Sequence, residues 1–406
     1  MNYFLNFSLL IRNRNYGFLF IGQFVSFLGT MITSVALPYQ IYHETQSTLI
    51  VGLLGLFQLL PLLFTALIGG VFADRYHRRM LLLVTESVLG IGSFLLAYNA
   101  TSLTPHVPII FAIAILMSAV NGLHRPALES MTQQVVNKAD FPIVSALMTF
   151  KYSVAMIAGP AIGGLIISHF GIVTTYLVDA GTFIISLFAL CMMTHIPKPV
   201  RQEEDLSTFS SIKQGIVYAA SRQELIGTYL VDFIAMIFGM PTALFPAIAQ
   251  TFGGAKTLGL LYSAPAVGAL VISFISGWST HVKRHGAAVA IAAGLWGISI
   301  ICFGLTQQLW LALFFLALSG AFDAVSGIFR STMWNQTIPT HLRGRLAGIE
   351  MISYLSGPRL GDTEAGLVAA LFGVTASIVS GGVLCVVGVA ACCYWLPKFW
   401  RYEPSE

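Results

Sequence analysis

Two ionisable residues, Asp323 and Arg330, stand seven positions apart within one long apolar segment. In a helix this spacing places both side chains on nearly the same face. A charged group at bilayer depth is costly unless it is paired or hydrated, so each is a functional candidate by default. A carboxylate in a water-filled cavity could exchange a proton or bind cargo, and a structural ion pair is the alternative for Asp323. Asp232, in another apolar segment, is a second candidate for proton exchange, although a helix-capping or interfacial role suits its position better.

A further apolar segment carries Arg125 and Glu129 at the i, i+4 spacing that favours an ion pair within one helix. The next segment carries Lys151, which has no acidic residue within four positions. Its ammonium group therefore needs a carboxylate from another helix or an anionic cargo.

One segment near the C-terminus is richer in charge than the others. Arg359 and Asp362 are three positions apart, which again permits pairing within a helix, and Glu350 lies nearer the start of the same segment. We keep all three as candidates for binding cargo or protons.

These charges are exceptional, because 56% of the 406 residues are hydrophobic and 9% are charged. Soluble domains carry about 25% charged residues, so a soluble globule is excluded. Twelve apolar segments are long enough to cross a bilayer as helices, which need about 20 residues each. The chain is therefore predicted to be an all-α membrane protein with twelve transmembrane helices. We name the segments spans 1 to 12: 16–42, 49–73, 80–100, 107–134, 141–168, 172–194, 223–251, 257–280, 287–306, 308–336, 344–372 and 374–396.

One long polar stretch divides the spans into two sets of six. We predict an N-terminal bundle at 1–194, a linker at 195–222, and a C-terminal bundle with a short tail at 223–406. Most of the 21 Lys and Arg residues lie in loops on the side that holds both termini and the linker. Basic loops remain in the cytoplasm, so both termini are predicted to be cytoplasmic.

The two halves share an internal repeat. Gly70 corresponds to Gly277, and the Gly-Pro pair at Gly159 corresponds to the pair at Gly357, in the same order and at nearly the same offset. Transporters built from duplicated bundles show such repeats. The repeat predicts two pseudo-symmetric six-helix bundles.

The loop between spans 2 and 3 packs dense charge into a tight turn, with Gly70, Asp74, Arg75, Arg78 and Arg79 in order. Asp74 could cap a neighbouring helix, and the arginines could simply anchor the loop at anionic headgroups. The segment resembles the G-x-x-x-D-R-x-x-R-R signature of the major facilitator superfamily, and the resemblance covers essentially the whole chain. It implies that these five residues act as a conformational gate that stabilises one access state of two rocking bundles.

Span 5 contains Gly159, Pro160, Gly163 and Gly164. Glycines four positions apart let two helices touch closely, and the proline removes one backbone hydrogen bond. An ordinary packing seam would have the same features. The run resembles the antiporter signature of drug and metabolite exporters in the same superfamily, which implies outward transport in exchange for protons.

The wider sequence, notably the Arg125-Pro126 segment of span 4 and the segment 357–366 of span 11, looks most like the branch of that superfamily that contains macrolide-efflux proteins and the enterobactin exporter. In the superfamily, helices 1, 4, 7 and 10 line the pathway and helices 3, 6, 9 and 12 support it. The resemblance therefore gives Glu86 on span 3 and Asp179 on span 6 a structural role.

No phosphate-binding loop, zinc-binding helix motif or nucleophile elbow is present, and the five cysteines lack metal-ligand spacing. We therefore predict no enzyme activity, no metal and no cofactor, and expect an ion gradient to supply the energy. The predicted function is export of an amphipathic, siderophore- or drug-like molecule by proton antiport and alternating access. A proton-coupled importer and a lysolipid transporter are the alternatives. The expected partners are the small-molecule cargo, protons and the lipid bilayer of the inner membrane, and no nucleic acid is expected. The protein is expected to be a monomer.

Overall fold

The computed structural model describes residues 6–194, 217–339 and 342–403, with the backbone alone at 70, 71, 73–75, 343–345 and 347–349. In these ranges the chain is helical and forms no strand. Most of the predicted linker, 195–222, lies outside the described residues. The predicted division of the chain at that linker stays a prediction.

Twelve helical segments correspond to the predicted spans. Ten helices in the described ranges are long and apolar enough to cross a membrane. One of these ten contains both span 5 and span 6 and therefore counts as two spans. Span 11 is not among the ten because it carries too many charged residues, and with it the described ranges contain twelve spans. The helices are Arg14–Thr45, Thr48–Arg75, Arg78–Ala100, Val107–Val135, Phe141–Met192 for spans 5 and 6, Gln223–Phe238 with Phe245–Phe252 for span 7, Ala255–Phe274, His285–Leu305, Leu309–Thr337, Arg343–Phe372 and Val374–Trp395.

Spans 5 and 6 meet at Gly171. This residue has a φ of 82°, whereas the rest of Phe141–Met192 is helical. A positive φ is readily adopted by glycine and costs other residues free energy, so Gly171 permits the bend between two spans without a longer loop. The bend lies at the boundary predicted from the sequence.

The apolar segment predicted as span 7 is present at Gln223–Phe252, but its helix is interrupted. Its first helix ends at Phe238, and a short 3-10 turn at Thr242–Leu244 leads into the second helix. Pro241, in the gap, has no N–H to continue a helix. The backbone oxygen of Gly239 is satisfied from span 9, because the indole nitrogen of Trp296 donates to it at 3.1 Å.

The described residues fall into two compact units, which we call unit 1 and unit 2. Unit 1 lies within Met1–Gln46, Phe57–Glu203 and Gly253–Ser263, and unit 2 lies within Ser47–Leu56, Glu204–Phe252 and Ala264–Glu406. The start of span 8 belongs to unit 1 because it packs on span 5, where Ser263 donates to the backbone oxygen of Ile157 at 2.7 Å. The start of span 2 belongs to unit 2 because it packs on span 11, where Thr363 donates to the backbone oxygen of Gly52 at 3.1 Å.

Small residues bring the helices together inside each unit. In unit 1, a Cβ added to Gly22 of span 1 would lie 2.9 Å from Cβ of Ala189 on span 6. In unit 2, a Cβ added to Gly297 of span 9 would lie 3.0 Å from the backbone oxygen of Gly382 on span 12. Helices in a bilayer associate largely through such close van der Waals packing. These contacts fix the helices that carry the charged side chains.

Candidate functional site

A buried ion pair joins spans 7 and 10 in unit 2. The guanidinium of Arg330 contacts the carboxylate of Asp232 directly, and its Nη2 lies 3.5 Å from Oδ1 of Asp323. The Arg330 and Asp232 side chains are 10% and 8% exposed, whereas the Asp323 side chain is 45% exposed. The structure thus brings together three predicted residues, with one cation between a buried carboxylate and a half-exposed one.

The helix-capping interpretation of Asp232 is wrong. The helix begins at Gln223, so Asp232 lies more than two turns inside it and faces Arg330. Trp334 of span 10 makes two further contacts with span 7. Its indole nitrogen donates to the hydroxyl of Thr228 at 2.9 Å, and its ring stacks on Tyr229 with ring centroids 5.3 Å apart. Glu350 of span 11 adds a longer-range electrostatic interaction with Arg330.

Asp362 of span 11 binds the second part of the broken span 7. Its Oδ1 accepts hydrogen bonds from the hydroxyl of Thr242 and, at 2.9 Å, from the backbone N–H of Ala243. A carboxylate in this position does the work of an N-cap, because the first backbone N–H groups of a helix have no partner inside it. The predicted partner Arg359 interacts with the same carboxylate electrostatically.

Lys151 of span 5 is buried in unit 1 against aromatic rings. It is 9% exposed, and its Nζ lies 5.8 Å from the ring centroid of Phe27 on span 1. Phe27 in turn stacks on Tyr152 at 5.9 Å. No carboxylate within the described ranges lies at ion-pair distance from Lys151. Glu86 of span 3 acts on Lys151 electrostatically from beyond that distance.

The predicted ion pair between Arg125 and Glu129 is not formed. Both side chains of span 4 are exposed, and no ion pair joins them in the described structure. An exposed pair contributes little, so helical spacing alone does not hold two long side chains together.

Sequence reasoning missed His124, which lies in a buried network that links spans 1, 3 and 4. The network is built around the amide of Gln23: its nitrogen donates to Oε1 of Glu86 at 2.7 Å, and its oxygen lies 3.0 Å from Nε2 of His124. Nδ1 of His124 lies 3.0 Å from the hydroxyl of Thr85, and Nε2 lies 3.7 Å from Oε1 of Glu86. Glu86 is 0% exposed and His124 is 8% exposed.

Asp179 of span 6 is also fully buried, and three hydroxyl groups surround it. Thr33 donates to its Oδ2 at 2.6 Å and Ser93 donates to the same oxygen at 2.7 Å, while Thr182 lies 3.5 Å from Oδ1. Buried carboxylates need such donors. This arrangement ties span 6 to spans 1 and 3.

The predicted gate residues are described in part. Arg79 donates to the backbone oxygens of Leu190 and Cys191 at 2.9 and 2.8 Å, and Arg78 donates to the backbone oxygen of Ser130 at 3.4 Å. Basic side chains at the last carbonyls of a helix satisfy groups that have no partner in the helix. Only the backbone of Gly70, Asp74 and Arg75 is described, so their predicted roles stay predictions.

The glycines of span 5 pack against two other spans. A Cβ added to Gly163 would lie 3.1 Å from the backbone oxygen of Ile32 on span 1, and Gly159 packs beside Met31 one turn away. A Cβ added to Gly164 would lie 2.9 Å from Cα of Gly259 on span 8. Pro160 lies inside the helix, which continues through it.

No group of three or more His, Cys, Asp or Glu side chains that could hold a metal ion is present in the described part of the chain. Unit 2 offers carboxylates around the buried cation Arg330, and unit 1 offers the buried cation Lys151 beside an aromatic face. These groups suit the binding of protons and of an amphipathic molecule.

Comparison with known proteins agrees with this architecture. The sequence profile of a family described as transmembrane secretion effector matches residues 8–403. The enterobactin exporter EntS of Shigella boydii serotype 4 and that of Escherichia coli O1:K1 are each 29% identical over 397 residues, covering 96% of this chain and 93% of theirs.

Two solved structures show the fold. A bacterial homologue of the human lysosomal transporter Spinster, in an inward-facing and unoccupied conformation, matches with a TM-score of 0.75 at 13% identity over 97% of this chain and 99% of that one. The nucleoside transporter NupG matches with a TM-score of 0.71 at 14% identity over 95% and 99% of the two chains. The predicted fold class, twelve transmembrane helices in two pseudo-symmetric bundles, is confirmed.

Proposed function

Because the chain belongs to the transmembrane secretion effector family of the major facilitator superfamily, we propose that it exports an amphipathic, siderophore-type small molecule in exchange for protons. The chain is a multi-pass membrane transporter, as its relatives and its structural neighbours are. The enterobactin exporters among the relatives support the siderophore type of cargo.

The observation that carries the proposal is the position of Asp323. It is half-exposed, whereas Arg330 and Asp232 beside it are buried. An ionised, hydrated carboxylate can accept hydrogen bonds from the hydroxyl groups of a cargo molecule. A protonated carboxyl group loses much of that capacity, so proton and cargo compete for one side chain. Such competition is what exchange of one for the other requires.

The pair of Arg330 and Asp232 supports this exchange by holding Asp323 in a defined electrostatic environment. An ionised group leaving water needs a counter-charge at close range. Arg330 supplies it for both carboxylates, so only the exposed one is free to change its proton. Each proton moved through 100 mV supplies about 2.3 kcal/mol, which can drive accumulation of cargo.

Unit 1 supplies a second set of groups suited to cargo. Lys151 is a buried cation without an ion-pair partner in the described ranges, and the rings of Phe27 and Tyr152 lie beside it. Phenol-like hydroxyl groups can accept hydrogen bonds from a lysine, and their rings can stack on aromatic side chains. A siderophore with aromatic hydroxyl groups meets both conditions.

The proposal includes the cellular setting. The basic loops support insertion in the inner membrane with both termini in the cytoplasm. The protein acts as a monomer, and the proton gradient replaces any cofactor. Arg125, Glu129, Glu350 and Arg359 remain candidates for contacts with cargo.

The proposal is tested with enterobactin in everted membrane vesicles that contain the chain. An acidic vesicle interior is expected to drive accumulation, and collapse of the pH gradient is expected to abolish it. Asp323→Asn should lose the driven accumulation, whereas Glu44→Gln, an exposed carboxylate, should keep it. Accumulation in right-side-out vesicles with an acidic exterior would indicate import instead, and accumulation of lysolipid without enterobactin would indicate lipid transport.

A second experiment identifies the cargo without assuming it. Secreted metabolites and drug resistance are compared between a strain that lacks the gene and its parent under iron limitation. Loss of an iron-chelating aromatic compound from the medium, with its retention in the cells, is expected. An unchanged secreted set together with unchanged drug resistance would contradict export.

A further inference from the structure

The network around Glu86 and His124 has no part in the exchange at Asp323. It lies in unit 1, whereas Asp323 lies in unit 2. Both carboxylate oxygens of Asp179, the other fully buried acid of unit 1, lie within reach of hydroxyl groups. In this network Oε2 of Glu86 is buried and has no hydrogen-bond partner in the described ranges. A buried carboxylate oxygen without a donor is a costly feature, which calls for an explanation.

Two arrangements of hydrogen atoms fit the same heavy-atom positions. In the first, Thr85 donates its hydroxyl to Nδ1 of a neutral His124, whose Nε2–H donates to Gln23. In the second, Nδ1 carries an added proton and donates to Thr85, whose hydroxyl turns to the backbone oxygen of Leu81, 2.9 Å away. The imidazolium so formed lies 3.7 Å from Glu86. One hydroxyl rotation therefore accommodates one proton without moving a helix.

We propose that Glu86 and His124 form a second proton-binding site, which takes up and releases one proton in each transport cycle. The proton resides on Nδ1 of His124 or on the unpartnered Oε2 of Glu86. Gln23 joins the two residues, because its amide donates to one and accepts from the other.

Other charges act on this site from the neighbouring spans. Lys151 of span 5 and Arg125 of span 4 act on His124, and Asp179 of span 6 acts on Glu86. Span 1 contributes neutral groups, Gln23 and Ser26, to the carboxylate. The site is thus in electrostatic contact with Lys151, one of the groups proposed to bind cargo.

The role in transport rests on the proposed function, so the first test is independent of transport. The full-length chain, labelled with ¹⁵N-histidine and placed in nanodiscs, is titrated by NMR. Among the signals of the nine histidines, the one that disappears in His124→Gln is expected to titrate, and Glu86→Gln is expected to shift its titration. His169→Gln, at an exposed position, should remove a different signal. An imidazole of His124 that does not titrate, together with a Glu86 carboxyl infrared band that does not change with pH, would overturn the proposal.

The second test measures the number of protons used. One pH unit corresponds to 1.36 kcal/mol per proton, so loss of one exchanged proton should lower steady-state enterobactin accumulation about tenfold for each unit of pH difference. Glu86→Gln and His124→Gln should show this loss and keep enterobactin–enterobactin exchange. Glu44→Gln and His169→Gln should behave as wild type. Wild-type accumulation in both network variants would refute the second site.

A further variant tests the proposal if Glu86→Gln and His124→Gln assemble poorly in the membrane. Thr85→Val removes the rotating hydroxyl at similar volume, and we expect the same loss of driven accumulation. Full driven accumulation in Thr85→Val would count against the proposal. If the wild-type chain moves no enterobactin, the proposed function fails, whereas the imidazole titration still decides whether the proton site exists.

Discussion

Removing the guanidinium of Arg330 is expected to destabilise the chain more than removing any one carboxylate around it. Arg330→Met leaves Asp232, 8% exposed, without its partner. Breaking a buried ion pair by removing one partner costs about 3–5 kcal/mol, mainly because the remaining charge stays buried. Asp232→Asn should cost less than Arg330→Met, because Asp323 still lies 3.5 Å from the guanidinium. Asp323→Asn should cost about 0–1 kcal/mol, since its side chain is 45% exposed.

A double variant of Arg330 and Asp232 shows whether the two residues contribute to stability as a pair or independently. Replacing a buried pair by apolar residues of similar volume is often close to neutral, so Arg330→Met with Asp232→Leu should recover most of the loss, a coupling of about 3 kcal/mol. The measurement is equilibrium unfolding of the purified full chain in mixed micelles, followed by tryptophan fluorescence. Costs that simply add in the double variant, or an Arg330→Met cost below about 1 kcal/mol, would refute the reasoning.

Three further predictions concern other parts of the site. Asp362→Ala should lower stability by about 1 kcal/mol, as loss of an N-cap does, and should speed hydrogen exchange at Ala243; unchanged exchange there would contradict the capping role. Gly163→Leu should lower stability by about 1–3 kcal/mol because its Cβ would meet the backbone of Ile32. The control Gly181→Leu should have little effect because the space around Gly181 is open. Equal effects of the two variants would argue against the close helix contact. Lys151→Gln should weaken enterobactin binding by about 1.5–3 kcal/mol, roughly ten- to a hundredfold, because it removes the ammonium proposed to bind the cargo. Lys256→Gln, at an exposed position, is the control. Unchanged binding of Lys151→Gln in titration calorimetry would exclude that contact.

The spans could be predicted from the sequence because apolar length decides where a helix crosses a bilayer. The break in span 7 could not be predicted from local signals. Pro160 and Pro358 lie inside helices that continue through them, so a proline alone does not interrupt a span. The break at Pro241 is stabilised by Trp296 and Asp362, which come from other spans and satisfy the freed backbone groups.

The charged site was predictable only where its partners share a helix. The spacing of Asp323 and Arg330 placed both on one face, and the structure brings them to 3.5 Å. The contact between Arg330 and Asp232 joins residues of different spans, and sequence spacing carries no information about it. The opposite error occurred for Arg125, where helical spacing predicted a pair that exposure to solvent leaves unmade.

His124 shows a third limit. A histidine in an apolar segment is ambiguous by itself, and its function depends on what faces it. Its partners Gln23, Thr85 and Glu86 come from two other spans. Polar residues at similar depth in spans 1, 3 and 4 were the available signal, but only packing shows that they meet.

The most direct test of the account is proton release on cargo binding. Enterobactin is added to the purified chain in weakly buffered detergent solution, and a pH indicator reports the protons that leave. Wild-type chain should release protons as it binds, its affinity should fall as the pH falls, and Asp323→Asn should bind with less release. Binding of enterobactin without any release, or with uptake of protons, would contradict exchange of cargo for protons at Asp323.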